Sequence, residues 1–220
     1  AEQIIHGSVQ EIAQRLHVTM PEVWVYDAPD PNAFATGPSK NNSMVAVSTG
    51  LLQNLREDEV KAVLAHEMGH VYNGDMFTTT VLAGLMNTFV YYLSNFLASI
   101  VGQSSSQDRE GGGPVGNPLL AMVVYIFLQV VLSFLAMLVV SWHSRRREFA
   151  ADAFSAKVYG KGSMIDALRA IDRWINRAQF EYSGQDALAT MKIAGKSSGV
   201  MHLFATHPPI EVRIAALERL

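Results

Sequence analysis

Residues Ala65 to His70 read AHEMGH, two histidines four positions apart flanking a glutamate. On a helix, positions i and i+4 lie one turn apart on the same face. His66 and His70 can therefore turn both imidazoles toward one metal ion. Glu67 follows the first histidine, so it stands beside that ion without ligating it. There a carboxylate can take a proton from water and return it to a leaving amine. Zinc suits this arrangement because it lowers the pKa of bound water and polarises a carbonyl without redox chemistry. The chemistry implied is hydrolysis of a peptide bond. The plain alternative is a charged helix face with two surface histidines.

A catalytic zinc needs a third protein ligand and an open fourth position. The pattern HExxHxxGxxH is excluded, because position 73 is Asn and position 76 is Met. A distant Glu is the other source, and the best candidate is Glu148 in RRREFAAD. Asp152 lies four residues later on the same helical face. A carboxylate there can hydrogen-bond a ligand histidine and set its tautomer. The alternative for Glu148 is to pair with Arg145, Arg146 and Arg147.

Composition limits the partners. The 220 residues have a formal net charge of −3, which argues against a nucleic-acid binder held by phosphate contacts. There is no cysteine, so any metal must be held by His, Asp or Glu. The N-terminal stretch AEQIIHGSVQEIAQRL is amphipathic and lacks the basic n-region and apolar core of a signal peptide.

The elements that must position these residues can be read from pattern. Residues 2–17 predict a helix with Ile4, Ile5, Val9, Ile12 and Leu16 on one side. Val23–Tyr26 and Met44–Val47 predict short strands. A Gly break and a short helix follow in STGLLQNL. Glu57–Met76 predicts a helix opening on Glu57, Asp58 and Glu59, a favourable acidic first turn. Residues 145–159 and 163–178 are helical by pattern. Pro208 and Pro209 suit the start of a last helix, IEVRIAALERL.

Two stretches without charge separate the halves of the candidate site, Phe77–Val101 and Asn117–Trp142. Each exceeds the ~20 residues that span a bilayer core as a helix. The first carries Thr, Ser and Asn, residues that serve helix–helix packing in membranes. A buried helical hairpin in a soluble core is the alternative. The Gly/Ser-rich connector 102–117 has Arg109 as its basic residue, whereas Arg145–Arg147 follow the second run. The positive-inside rule then puts the connector outside and the flanking segments in the cytoplasm, with Trp142 in the interfacial belt. His70 precedes the first run and Glu148 follows the second, so two crossings return the chain to the side it left. The expected organisation is residues 1–76 with 143–220 as a cytoplasmic unit, and 77–142 as the membrane hairpin.

With these residues in view, the sequence resembles the M48 family of zinc metallopeptidases, in its bacterial membrane-bound branch. The resemblance rests on PNAFATG (Pro31–Gly37), VAVSTGLL (Val45–Leu52), AHEMGHVYNGD (Ala65–Asp75), the two apolar runs, RRREFAAD (Arg145–Asp152) and THPPIEVRIAAL (Thr206–Leu217). It implies an inner-membrane endopeptidase with a cytoplasmic active site, acting in quality control of membrane proteins under stress. It also implies two further transmembrane helices ahead of Ala1. By resemblance, His66, His70 and Glu148 hold one Zn2+, Glu67 is the general base, and Asp152 supports a ligand histidine. His207 would approach the metal and stabilise the oxyanion together with Arg213, the alternative for His207 being a helix-capping or packing role. Strand Met44–Ser48, with Val45, Ala46 and Val47, would be an edge strand that pairs with extended substrate. Asn32, Ala33 and Phe34 would line the same cleft, the alternative for them being turn chemistry around Pro31 and Gly37.

The expected fold is mainly α with a small β-sheet (α+β). It comprises a zincin-like catalytic domain whose HExxH helix lies beside the sheet, and a transmembrane helical hairpin. The expected partners are protein or peptide substrates, unfolded segments of membrane proteins among them, and the lipid bilayer. The rival readings are a non-catalytic membrane protein with a structural metal and a metal-free membrane scaffold.

Overall fold

The computed structural model describes residues 2–104, 117–182 and 207–220, so most of the Gly/Ser-rich connector lies outside the described residues. The chain divides into two compact units, residues 1–78 with 143–220, and residues 79–142.

In the first unit, helix α1 (Glu2–Leu16) buries Ile5, Val9 and Ile12, a stripe at helical spacing. Three strands follow: β1 (Glu22–Tyr26), β2 (Ala33–Ser39) and β3 (Asn42–Ser48). Their order is β1-β3-β2. Strand β3 is parallel to β1, with Val23 opposite Val45, and antiparallel to β2, with Ala35 opposite Val45. The edge-strand expectation for Met44–Ser48 is therefore corrected. β3 is the central strand, its main chain is taken on both sides, and Val45, Ala46 and Val47 are buried. Strand β2 forms against the local preference of its sequence. Its sequence AFATGPS carries the Gly and Pro that usually break one. Pairing to β3 overrides that local preference, and the register shifts between Thr36 and Ser39, next to Gly37 and Pro38. Gly37 is also needed sterically, since its φ is 149° and a Cβ there would stand 2.3 Å from the Asn42 carbonyl oxygen.

Helix α2 (Thr49–Asn54) is capped by Ser48 Oγ, which accepts from Leu51 N. Helix α3 (Glu57–Asn73) follows, with Arg56 N donating to Glu59 Oε2 at 2.7 Å. Leu64, Met68 and Val71 of α3 are fully buried against α1, β3 and α6. Burial of each such side chain stabilises by about 1.5–3 kcal/mol, so the helix that carries HExxH is anchored in the core. The single helix predicted over Glu57–Met76 is corrected. Gly74 takes φ 68° and ends α3, and α4 (Asp75–Ser104) starts at the next residue.

The 145–159 segment and the second apolar run form one helix, α5 (Pro118–Tyr159), because no Gly or Pro interrupts it after Pro118. Its C-terminal part packs closely on α3. A Cβ at Gly69 would stand 3.3 Å from Ala151 Cα and 3.2 Å from Phe154 Cδ1. Ser155 Oγ donates to the Ala62 carbonyl at 2.7 Å in the same contact. Helices α6 (Lys161–Tyr182) and α7 (Ile210–Glu218) close this unit, with Ala62, Met164, Leu168 and Leu217 in one buried cluster.

In the second unit, the apolar parts of α4 and α5 leave most of their surface uncovered. Only 17% and 6% of the two apolar windows are buried. Leu85, Phe89, Phe96, Ile126, Phe127 and Val130 are exposed, which a soluble core hairpin would not permit. What is buried on α4 is a stripe of smaller residues four apart, Val90, Ser94, Ala98 and Gly102. A Cβ at Gly102 would meet Ala121 Cβ at 2.8 Å, the close backbone approach that small residues allow in membranes.

Candidate active site

Helix α3 supplies two imidazoles and α5 supplies a carboxylate to one point. His66 Nε2 and His70 Nε2 are 3.2 Å apart. Glu148 Oε2 is 3.7 Å from the first, and Glu148 Oε1 is 3.4 Å from the second. Donors at ~2.0–2.1 Å from a tetrahedral ion are separated by about 3.3 Å from one another. The triangle has that size, and all three residues are shielded from solvent. Glu148 Oε2 also has His207 Nδ1 at 3.0 Å and Arg213 Nη1 at 3.4 Å, so its charge is matched by cationic neighbours. Two imidazole nitrogens and one carboxylate converging at this spacing are a donor set that suits a divalent ion. The residues present fit a metal ion.

Each imidazole is oriented through its other nitrogen. His66 Nδ1 lies 2.9 Å from Asp152 Oδ1. Arg213 of α7 grips Asp152 with two hydrogen bonds, from Nε at 2.8 Å and from Nη2 at 2.6 Å. His70 Nδ1 lies 2.7 Å from Asp75 Oδ2. An Nδ1–H donated to a carboxylate leaves the Nε2 lone pair free to ligate. Burial alone would push the Glu148 carboxyl up, but His207, His70 and His66 around it outweigh that and hold it well below the usual carboxylate range. Asp152 follows the same logic: burial opposes its charge, and Arg213 with His66 holds its carboxyl down. For His70, burial works against the charged ring, yet Asp75 and Glu148 raise its pKa to about 9.

Glu67 sits beside the triangle. Burial pushes its carboxyl up, opposed by His66 and His70 and by the backbone of Ala35 in β2. The Ala35 contact has a geometric reason. Ser48 N donates to the Asn32 carbonyl, so by antiparallel alternation Phe34 and Thr36 turn their backbone groups to β3, while Ala33 and Ala35 turn theirs outward. The outward edge of β2 therefore runs past Glu67. Asn32 joins the strand ends, with its amide donating to Tyr26 Oη at 2.9 Å. Phe34 is exposed, its ring 5.8 Å from that of Tyr26.

A comparison with known proteins decides the family: the model of Peptidase family M48 matches residues 1–220. The chain belongs to peptidase family M48. This M48 chain is 48% identical to Protease HtpX of Pasteurella multocida over 219 residues, covering all of the chain and 73% of that protein. It is 45% identical to a Protease HtpX homolog of Nitrosomonas europaea, covering 96% of the chain and 69% of that protein. Its fold is similar to the crystal structure of S. mikatae Ste24p at a TM-score of 0.63 and 23% identity, over 97% of the chain and 49% of Ste24p. The mainly helical α+β, zincin-like expectation agrees with that neighbour. With its two apolar helices, the M48 chain is a membrane-bound metalloprotease, and the non-catalytic alternative is not favoured.

Among the residues singled out from the M48 sequence pattern, the structure brings together His66, Glu67, His70, Glu148, Asp152, His207 and Arg213. His207 is exposed, with Nδ1 3.0 Å from Glu148 Oε2. Arg213 is nearly buried and committed to Asp152, with Nη1 3.4 Å from Glu148 Oε2. It faces the candidate ligands rather than open solvent. Val45, Ala46 and Val47 are not brought to the site surface, and Ala33 and Ala35 take their place at the outer edge of β2, which no other strand pairs among the described residues. Asp75 was missed. Its signal was a carboxylate five residues after His70, directly behind a glycine that can turn the chain.

Proposed function

We propose that this chain is a zinc-dependent endopeptidase of a bacterial inner membrane. Its active site faces the cytoplasm, and it cleaves unfolded segments of proteins, those of membrane proteins among them. The observation that carries the reading is the His66–His70–Glu148 triangle with Glu67 beside it and an open strand edge alongside. An N2O donor set of two imidazoles and one carboxylate is a common catalytic zinc set. Zinc bound there would supply Lewis acidity and a water of lowered pKa. Glu67 takes the proton of the attacking water and returns it to the leaving amine, and its upward-shifted carboxyl suits both transfers. His207, whose Nδ1 lies 3.0 Å from Glu148 Oε2, would donate to the developing oxyanion. Arg213 acts through Asp152 and holds His66 in place. Substrate is held in extended form along the free edge of β2 by main-chain hydrogen bonds, which demand little of sequence and favour unfolded chain. The quality-control role under stress is supported by the family resemblance, and the orientation by Arg145–Arg147 beyond the second apolar run.

The test is Glu67→Gln. The variant keeps one zinc per chain and loses casein cleavage by on the order of 10²–10⁴-fold. Undiminished cleavage by Glu67→Gln would overturn the mechanism, and a wild-type chain purified without chelator and free of zinc would overturn the metal assignment.

A further inference from the structure

Both candidate ligand histidines carry the same kind of support, and one of the two supports comes from a residue outside the HExxH and ExxxD pattern. His66 is backed by Asp152, and Asp152 by Arg213. His70 is backed by Asp75 at 2.7 Å, and Arg147 Nε lies 3.2 Å from the same Asp75 oxygen, an ion pair rather than an aligned hydrogen bond. Asp75 is buried, and Arg147 is mostly so. The turn that makes this possible is local: Gly74 at φ 68° ends α3 and sets Asp75 back against His70. Arg147 immediately precedes Glu148 on α5, so one helical turn delivers both the third ligand and the cation beside Asp75.

We infer that Asp75 is a positioning residue for the metal, aligning His70 through Nδ1, and that Arg147 fixes Asp75 in that task. An aligned Nδ1–H···carboxylate bond selects the tautomer whose Nε2 can ligate, and losing such a partner costs about 10–100-fold in metal affinity. The inference rests on the reading of His66, His70 and Glu148 as ligands.

The experiment measures zinc affinity of the full chain in detergent by chelator competition, together with the visible spectrum of the cobalt(II)-substituted protein and the Tm of metal-free and zinc-loaded forms. Asp75→Ala should weaken zinc binding by about 10–100-fold, alter the cobalt spectrum and shrink the rise in Tm on zinc loading. Asp75→Asn, whose carbonyl still accepts from Nδ1–H, should recover part of that loss and serves if the alanine variant does not fold. Arg147→Gln should fall between Asn and wild type. Unchanged affinity and cobalt spectrum in Asp75→Ala, or in Asp75→Asn where that is the folded variant, would overturn the inference. So would a Tm lowered equally with and without zinc, since that marks a structural role. His66→Ala in parallel separates the two levels: if it binds zinc as wild type, the ligand assignment fails; if it loses zinc while Asp75→Ala keeps it, this inference alone fails.

Discussion

Arg213 places two nitrogens on Asp152 and a third within 3.4 Å of Glu148. A planar fork can do this and an ammonium cannot. Arg213→Lys is therefore not conservative here. Removing one partner of a buried pair costs about 3–5 kcal/mol, so Arg213→Ala should lower the Tm of the metal-free protein sharply. Arg213→Lys should retain part of that stability with weaker zinc binding. Thermal melts with and without zinc check both, and a lysine variant indistinguishable from wild type would argue against the bidentate role. At this scale His66, Glu67 and His70 were legible because their chemistry lies within five consecutive positions. Asp75 was not, because its role depends on a backbone turn at Gly74 that no side-chain pattern announces.

The α3–α5 contact shows how an element sets the site. Gly69 lies between the two candidate ligand histidines, and Ala151 lies between Glu148 and Asp152. Gly69→Ala raises helix propensity by about 1 kcal/mol, but its Cβ would meet the Ala151 backbone at 3.3 Å. Overpacking costs about 1–3 kcal/mol, and a backbone atom yields less easily than the end of a side chain. Overpacking wins: Gly69→Ala should lower stability by about 1 kcal/mol and weaken zinc binding several-fold by displacing Glu148. Denaturant unfolding and a chelator titration measure the two effects, and a gain in stability with unchanged affinity would refute this balance. The helices were readable from periodicity and caps. Strand β2 was not, since AFATGPS forms a strand only because β3 offers a partner.

For the whole molecule, charge distribution predicts orientation. The chain contains no cysteine, so a single one can be introduced as a reporter. In intact cells a membrane-impermeant maleimide should label Gly112→Cys in the connector and leave Lys161→Cys unlabelled until the membrane is opened. The reverse pattern would invert the proposed topology. The exposed apolar surface of residues 79–142 also calls for detergent or lipid during extraction.

The sequence by itself determined the HExxH pair, the apolar spans and the third-ligand candidate. These depend on residue type and on spacings within single helices, which 3.6-residue periodicity fixes locally. Tertiary structure decided what depends on approach between elements. It made β3 the central strand and β2 the edge strand beside Glu67, it turned Arg213 onto Asp152, and it brought Asp75 and Arg147 behind His70. Such relations arise from close packing at Gly69, the left-handed turn at Gly74 and strand pairing over long separation, which no local pattern encodes.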